Sequence, residues 1–334
     1  MKTVRDIYDF FMNHPTGYIC SLEDFMKTIP EFTIDENEGK KKGNLSLARE
    51  YYAICRKMCD DLLLRVFHND PYSFVKNRFE GISLATCSEP EEVRRKLEYG
   101  DFDFKYRGFT YTRNCFKNSV CPIVGIKENG DEDIGTCYYI GENLFVTAAH
   151  CVRDFVRFKV LKSDNALMLR NVKFAYGMDI DRYDLAVIEV DGEIDCRPLE
   201  LTIPSVLNEV LTIGYPRISG FDAIQIAETA TIGAYQKAAE GQILGEGLEH
   251  VMRMDCFLIN ARVKGGNSGS PVINREGRVV GTLVHLPMDD QAGTDNPRYD
   301  LMGYGACLPS KYVTRLLDAP DTHELILDGD YYRL

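Results

Sequence analysis

The sequence predicts a two-domain chain, a small mainly α-helical domain followed by an all-β domain of barrel or sandwich type. Three observations carry this. The 334 residues exceed the roughly 100–200 that one domain usually takes. The first hundred or so residues carry apolar positions at helical spacing. From about residue 102 the texture changes to short runs rich in Val, Ile, Tyr, Phe and Thr, broken by Gly, Asn, Asp and Pro.

In the helical part, VRDIYDFFM has apolar residues at helical spacing, and SLEDFMKTI opens on a capping Ser21 with Glu23 close behind. LSLAREYYAICRKMCDDLLLRVF reads as one long amphipathic segment. SEPEEVRRKLEYG gives a further helix, with Pro90 near its start, acids in its first turn and Gly100 at its end. The β part contains FKYRGFTYT, CPIVGIKE, GTCYYIGENLFVTAA, FVRFKVL, DLAVIEV, EVLTIGY, AETATIGAY, SPVIN and RVVGTLVHL. Runs at this spacing, without helices between them, indicate a sandwich or barrel rather than βα units. SKYVTRLLD reads as a last helix before a short acidic tail. The domain boundary falls within residues 101–118, and the two domains are taken as 1–110 and 111–334.

Composition narrows the function classes. The net charge is −12, and the one basic run, Lys40-Lys41-Lys42, sits in the polar loop DENEGKKKGN; this argues against nucleic acid and anionic membrane as partners. No stretch of 18 apolar residues occurs to span a bilayer, and the N-terminal MKTVRDIYDFFMNHP interleaves charges with apolar residues, unlike a signal peptide. A soluble, cytoplasmic protein is expected. The eleven cysteines are odd in number, scattered and free of CxxC pairs, so reduced thiols are expected. Cys55 and Cys59 are spaced for a metal on a helix, but no nearby Cys or His completes a site, and core packing is the expectation. No metal or cofactor is expected.

Three short stretches in the β part carry chemistry. NLFVTAAHCV ends a strand-like run with His150, delivered by the preceding hairpin to a loop. DRYDLAVIEVD places Asp184 just before an apolar strand, and GGNSGSPV places Ser268 in a Gly-rich turn. Singly each has a bland reading: a satisfied histidine, a strand-entry turn residue, the polar residue of a hairpin loop. Together they supply an imidazole base, an orienting carboxylate and a hydroxyl nucleophile. Asp179 and Asp181, just upstream of Asp184, are alternative carboxylates.

TAAHC, DLAV and GNSGSP resemble the three signature blocks of chymotrypsin-fold, trypsin-like serine proteases. They stand in the order His, Asp, Ser with separations of 34 and 84 residues, and the resemblance covers about residues 115–318. It implies an all-β double six-stranded barrel and a serine endopeptidase. Ser268 would attack the scissile carbonyl, His150 would take and return the proton, and Asp184 would orient His150. The backbone amides of Gly266 and Ser268 would form the oxyanion hole, with Gly265 and Gly266 adopting angles a β-carbon opposes and Gly269 leaving room behind the nucleophile. The family places the carboxylate directly before the Leu-Ala of the strand, which selects Asp184; Cys256, twelve residues before the motif, does not occupy the nucleophile's place.

The sequence departs from the family pattern in several places. Secreted members pair a cleavage-generated N-terminus with an Asp before the catalytic Ser. Here that residue is Asn267, so PIVGI reads as the first barrel strand rather than a zymogen terminus. Cys151 follows the His as in secreted members, but Gly135 occupies its partner's position and Cys137 is offset by two, so no disulfide is expected. GNSGSP and YGACLPSKYVTRLL look closer to Deg-type and glutamyl-endopeptidase-like bacterial branches. Deg-type enzymes carry a PDZ domain after this point, whereas 16 residues follow Asp318. Control is therefore expected from residues 1–110, through a regulatory protein partner. Arg262 stands at the pocket-base position six before Ser268, where a lysine- or arginine-specific enzyme would have Asp. Arg262, Lys264 and His285 could favour an acidic P1 side chain, or face solvent and merely pack. A catalytically silent binding or scaffold protein of the same fold is the alternative function.

Overall fold

The structure, a computed structural model of the 334-residue chain, describes the residues outside 14–18, 35–41, 164, 175–182, 219–223, 226–230, 233, 250–253, 286–303 and 320–321. Asp179, Asp181, Lys40 and Lys41 thus lie outside the described residues. The chain divides into two compact units, Met1–Gly108 and Phe109–Leu334.

The first unit begins with α1 (Val4–Met12) and α2 (Leu22–Met26), each opened by a capping box, Thr3 with Asp6 and Ser21 with Asp24. The box partner in α2 is therefore Asp24, one residue beyond Glu23. Helix α3 (Leu45–Asp60) starts where the Asn44 side chain accepts the Leu47 N–H at 3.0 Å. It stops before the run LLLRVF, which the spacing had joined to it. Leu62 turns at φ +58°, and Leu64–His68 form strand β1, hairpinned to β2 (Arg78–Gly81). A short apolar run fits a strand as well as a helix, and only its partner decides. A third strand lies on the far side of β2, where Leu22 N–H donates to Asn77 O at 2.9 Å and Phe79 N–H to Cys20 O at 3.1 Å. The unit is therefore three helices on a three-stranded antiparallel sheet, in chain order helix, strand, helix, helix, strand, strand, with a 3-10 turn (Pro30–Phe32) and a short antiparallel pairing of Thr33–Ile34 with Lys42–Gly43 between the second and third helices. Phe11, Phe25, Tyr51 and Phe79 fill its core, joined by Cys55 and partly by Cys59.

Helices α4 (Pro90–Tyr99) and α5 (Asp101–Arg107) close the unit, separated by Gly100 at φ +94°. FKYRGFTYT, read as a β run, is instead the end of α5 and the start of α6 (Phe109–Phe116). Its aromatic residues favour strands in isolation, but Phe104, Tyr106 and Phe109 are buried from helical positions. Tertiary packing overrides the local preference.

The second unit holds two barrel-like sheets. The first contains β3 (Val120–Ile126), β4 (Glu132–Gly141), β5 (Leu144–Thr147), β6 (Arg157–Lys162), β7 (Leu169–Phe174) and β8 (Ala186–Val190), in the order β7-β8-β5-β4-β3-β6, with the short helix α7 (His150–Arg153) between β5 and β6. The second is a closed six-stranded barrel of β9 (Glu209–Gly214), β10 (Lys237–Glu249), β11 (Met254–Ile259), β12 (Pro271–Asn274), β13 (Val279–His285) and β14 (Gly305–Pro309). The first sheet does not stop at six strands. Beyond helix α8 (Lys311–Leu317), the expected acidic tail forms β15 (His323–Glu324) against β7, and β16 (Ile326–Asp328) hairpinned to β17 (Tyr331–Arg333), which reaches β6. Tyr332 is buried there and Tyr331 lies under Arg157 and Lys159. Between the two sheets, the Tyr138 hydroxyl and Thr282 Oγ1 hydrogen-bond at 2.8 Å in a fully buried position.

Candidate active site

Antiparallel pairing of β5 with β8 sets Thr147 opposite Ala186. His150, three residues beyond one strand end, and Asp184, two before the other, therefore meet at one edge of the sheet. Asp184 commits both carboxylate oxygens to His150: Oδ1 accepts the His150 backbone N–H at 2.9 Å and Oδ2 lies 2.6 Å from Nδ1. A carboxylate only accepts, so Nδ1 carries the proton and the neutral ring keeps its lone pair on Nε2. Burial opposes a charged imidazolium, but the Cys151 sulfur and the Asp184 carboxylate outweigh it and raise the His150 pKa above its ordinary value. Burial likewise works against the Asp184 carboxylate, and the bonds from His150 overcome it, holding Asp184 below its usual range.

The turn holding Ser268 is fixed from the opposite sheet. The Thr136 N–H on β4 donates to Ser268 O at 2.8 Å, and its hydroxyl donates to Gly266 O at 2.8 Å while accepting the Tyr215 N–H at 3.0 Å. Gly269 N–H donates to Leu283 O at 2.7 Å, and Ser270 N–H to Asn267 O at 2.9 Å. Two glycines are required by this geometry. Gly266 sits at φ +96° with a β-carbon position 2.4 Å from Tyr215 O, and Gly269 at φ +85° with one 2.0 Å from Thr136 O. Gly265 needs no such freedom, since its β-carbon would meet open space.

The backbone of this turn also presents two donors. Gly265 O is engaged by the Arg217 N–H at 3.0 Å. In a trans peptide the C=O and the following N–H point opposite ways, so the Gly266 N–H is turned away from Arg217. Among the described residues neither Gly266 N–H nor Ser268 N–H donates to a protein acceptor.

The structure joins His150 to Asp184 directly and to the Ser268 turn through its neighbour, because Cys151 Sγ lies 3.7 Å from Ser268 O. Among the described residues no hydrogen bond links the Ser268 hydroxyl to His150, a contact that commonly tightens only with substrate in place. Gly135 faces Cys151, with a β-carbon position 2.4 Å from Sγ, and Cys151 is a buried free thiol. Arg262, Lys264 and His285 are all exposed. Val263 and Leu283 beside them belong to the apolar interior of the closed barrel, the β-carbon position of Gly305 lying 2.6 Å from Leu283 Cδ1 and 3.1 Å from Val263 Cγ2. Sequence reasoning did not find Thr136 or the Tyr215–Arg217 backbone. A threonine inside an apolar strand run, next to the Gly135 that faces Cys151, was the only signal for the first.

Residues 135–281 match the profile of the trypsin-like peptidase domain. Among curated proteins, the human serine protease HTRA4 is 31% identical over 155 residues, covering 44% of this chain and 29% of that protein. A probable periplasmic serine endoprotease, DegP-like, from Chlamydia trachomatis is 25% identical over 237 residues, covering 69% of this chain and 42% of its own length. The chain thus spans well under half the length of these relatives. Among solved structures, the active form of the Rv3671c protease from M. tuberculosis is 20% identical with a TM-score of 0.47, covering 66% of this chain and 87% of that one.

Proposed function

We propose, from the trypsin-like peptidase domain that the chain carries over residues 135–281, that it is a serine endopeptidase acting on protein substrates through His150, Asp184 and Ser268. The observation that carries the reading is the meeting of a carboxylate-bound imidazole with a turn whose two amides, Gly266 and Ser268, have no protein acceptor among the described residues. Ser268 attacks the scissile carbonyl as His150 Nε2 takes its proton, and the imidazolium later returns that proton to the leaving amine. Asp184 fixes the ring and stabilises its charged form. The oxyanion receives the Gly266 and Ser268 amides, each such donor being worth about 3–4 kcal/mol in the transition state. Arg262, Lys264 and His285 are exposed, which supports the reading that they face solvent and select no acidic P1 side chain. Asn267 offers no carboxylate to a new N-terminus, so activation by cleavage is not required. The free Cys151 thiol facing Gly135 suits a reducing compartment. The unit formed by residues 1–108 contributes none of these groups and is assigned to control or targeting. A fluorophosphonate probe tests the centre: it labels the native protein and not Ser268→Ala. Equal labelling of both, or none of either in a folded preparation, removes Ser268 from the mechanism.

A further inference from the structure

The order and pairing of the first unit follow those of a helix-turn-helix domain completed by a β-hairpin, α1, the strand segment at 20–22, α2, α3, then β1 and β2, except that residues 27–44, with a 3-10 turn and the Thr33–Ile34/Lys42–Gly43 pairing, stand where such domains have a short turn. In domains of this kind the helix following α2 is the one that enters the DNA major groove, its N-terminal part meeting the base edges. Helix α3 fits that task in dimension. It is 16 residues long, about 24 Å at 1.5 Å per residue, and buries one face through Ala48, Tyr51, Ile54, Cys55 and Met58.

The chemistry of its other face selects the ligand. Ser46, Arg49, Ala53 and Arg56 run along it, all exposed, at the three- and four-residue spacing that aligns side chains on one helix face. Small residues alternating with the two arginines, Ser46 before Arg49 and Ala53 before Arg56, allow close approach to a groove and leave the guanidinium groups as the reaching elements. Neighbouring charges are already committed: Glu50 is bridged to Arg107, and Lys57 donates to Tyr106 O. Among the described residues neither Arg49 nor Arg56 has a carboxylate within salt-bridge distance; of the two exposed acids on the helix, Glu50 is the one bridged to Arg107 and Asp60 stands at the far end. No large apolar side chain is exposed on α3 beyond Leu45, so the face lacks the aromatic or aliphatic anchors of a protein-docking surface. The hairpin that follows exposes Tyr72 and Lys76, at the place where such a wing meets the DNA backbone. The net charge of −12 hides this. Residues 1–108 hold 17 Lys and Arg against 19 Asp and Glu, so nearly all the acid excess belongs to the other unit.

We propose that residues 1–108 bind double-stranded DNA, with α3 in the major groove and Arg49 and Arg56 contacting phosphates or base edges, so that the chain is carried to or controlled by DNA. This reverses the expectation drawn from net charge, and it holds whether or not the second unit cleaves peptides. The test uses the full chain carrying Ser268→Ala and a fluorescein-labelled 25-base-pair duplex of mixed sequence, read by anisotropy across a NaCl series. Binding is expected at low salt, with a log affinity that falls linearly with log salt. R49A/R56A should weaken it about tenfold or more and make the salt slope shallower by about two. K117A/K237A, which removes the same charge from the second unit, should leave it unchanged. Absence of binding at about 50 mM salt, where even non-specific contacts are strong, overturns the proposal. So does equal loss in both double variants, or preference for the single strand. A self-association that R49A/R56A abolishes, without duplex binding, also overturns it and makes the face a protein interface. Circular dichroism establishes that each variant is folded.

Discussion

Replacing Thr136 by valine keeps the side-chain shape and deletes one hydroxyl that bridges two backbone segments. Thr136 is fully buried; its Oγ1 donates to Gly266 O at 2.8 Å and accepts the Tyr215 N–H at 3.0 Å. The substitution leaves a carbonyl and an amide unpaired in the interior, at about 1–3 kcal/mol each, so a loss of stability of about 2–6 kcal/mol is expected. The larger consequence is catalytic. Gly266 O belongs to the residue whose N–H is assigned to the oxyanion, and a Gly266 free to rotate misdirects that donor. Losing one such donor costs about 10²–10³ in kcat, and partial misalignment should cost about 10–100-fold with KM little changed. The assay is kcat and KM on a peptide substrate, with denaturant unfolding alongside. Thr136→Ser restores the hydroxyl and should recover most of the activity, which separates positioning from mere packing. A folded Thr136→Val enzyme within twofold of wild type refutes the reasoning, since Gly266 would then be held without Thr136.

Asp184→Asn should lower kcat about 10⁴-fold while leaving the fold intact, as expected when the imidazole loses its orienting acceptor; circular dichroism and peptide hydrolysis check both halves. Because the His150 pKa is raised, the neutral base appears only above its ordinary value of about 6.5, so kcat/KM should still be climbing past that pH. Cys151→Ala, by removing the neighbouring sulfur, should move this limb towards lower pH. The pair also links to stability. The raised His150 contributes below its unfolded pKa of about 6.5 and is lost as pH rises through the folded value, whereas the lowered Asp184 contributes above about 3.9 and is lost as pH falls through its own. Urea midpoints of wild type minus Asp184→Asn should therefore differ most between about pH 4 and 6.5. Gly269→Ala puts a β-carbon 2.0 Å from Thr136 O and should abolish activity even where the chain folds, measured by loss of fluorophosphonate labelling.

Much of the site was legible because its residues lie in local sequence patterns. His150 and Asp184 flank strands whose register brings them together, and the Ser268 turn declares its backbone needs through Gly266 and Gly269. What escaped depends on partners distant in sequence. Thr136 is 130 residues from Gly266, and nothing local marks its hydroxyl. Helices were read well where capping residues and a terminal glycine stated their ends, as in Pro90–Tyr99. They were misread where composition and packing disagree, as in the aromatic run around Phe109. Strand β10, KAAEGQILGEGLE, passed unnoticed because three glycines and three glutamates hide its alternation. Gly241 is needed there, since a β-carbon would lie 2.5 Å from Ala261 N. The β1–β2 hairpin that follows the third helix was concealed in LLLRVF, where apolar content outweighed the break at Leu62.

The strands at residues 323–333 bear on biogenesis. They cover both edges of the first sheet, β15 on β7 and β17 on β6, and uncovered edges invite pairing with other chains. Roughly 160 residues separate Phe174, the end of β7, from Arg333, a lag on the order of ten seconds or more at ribosomal rates of about 5–20 residues per second. Throughout that interval the sheet that bears His150 and Asp184 is unfinished. A ribosome-bound nascent chain therefore carries His150 and Asp184 on an incomplete scaffold, and the sheet is completed only when residues 323–333 have left the exit tunnel.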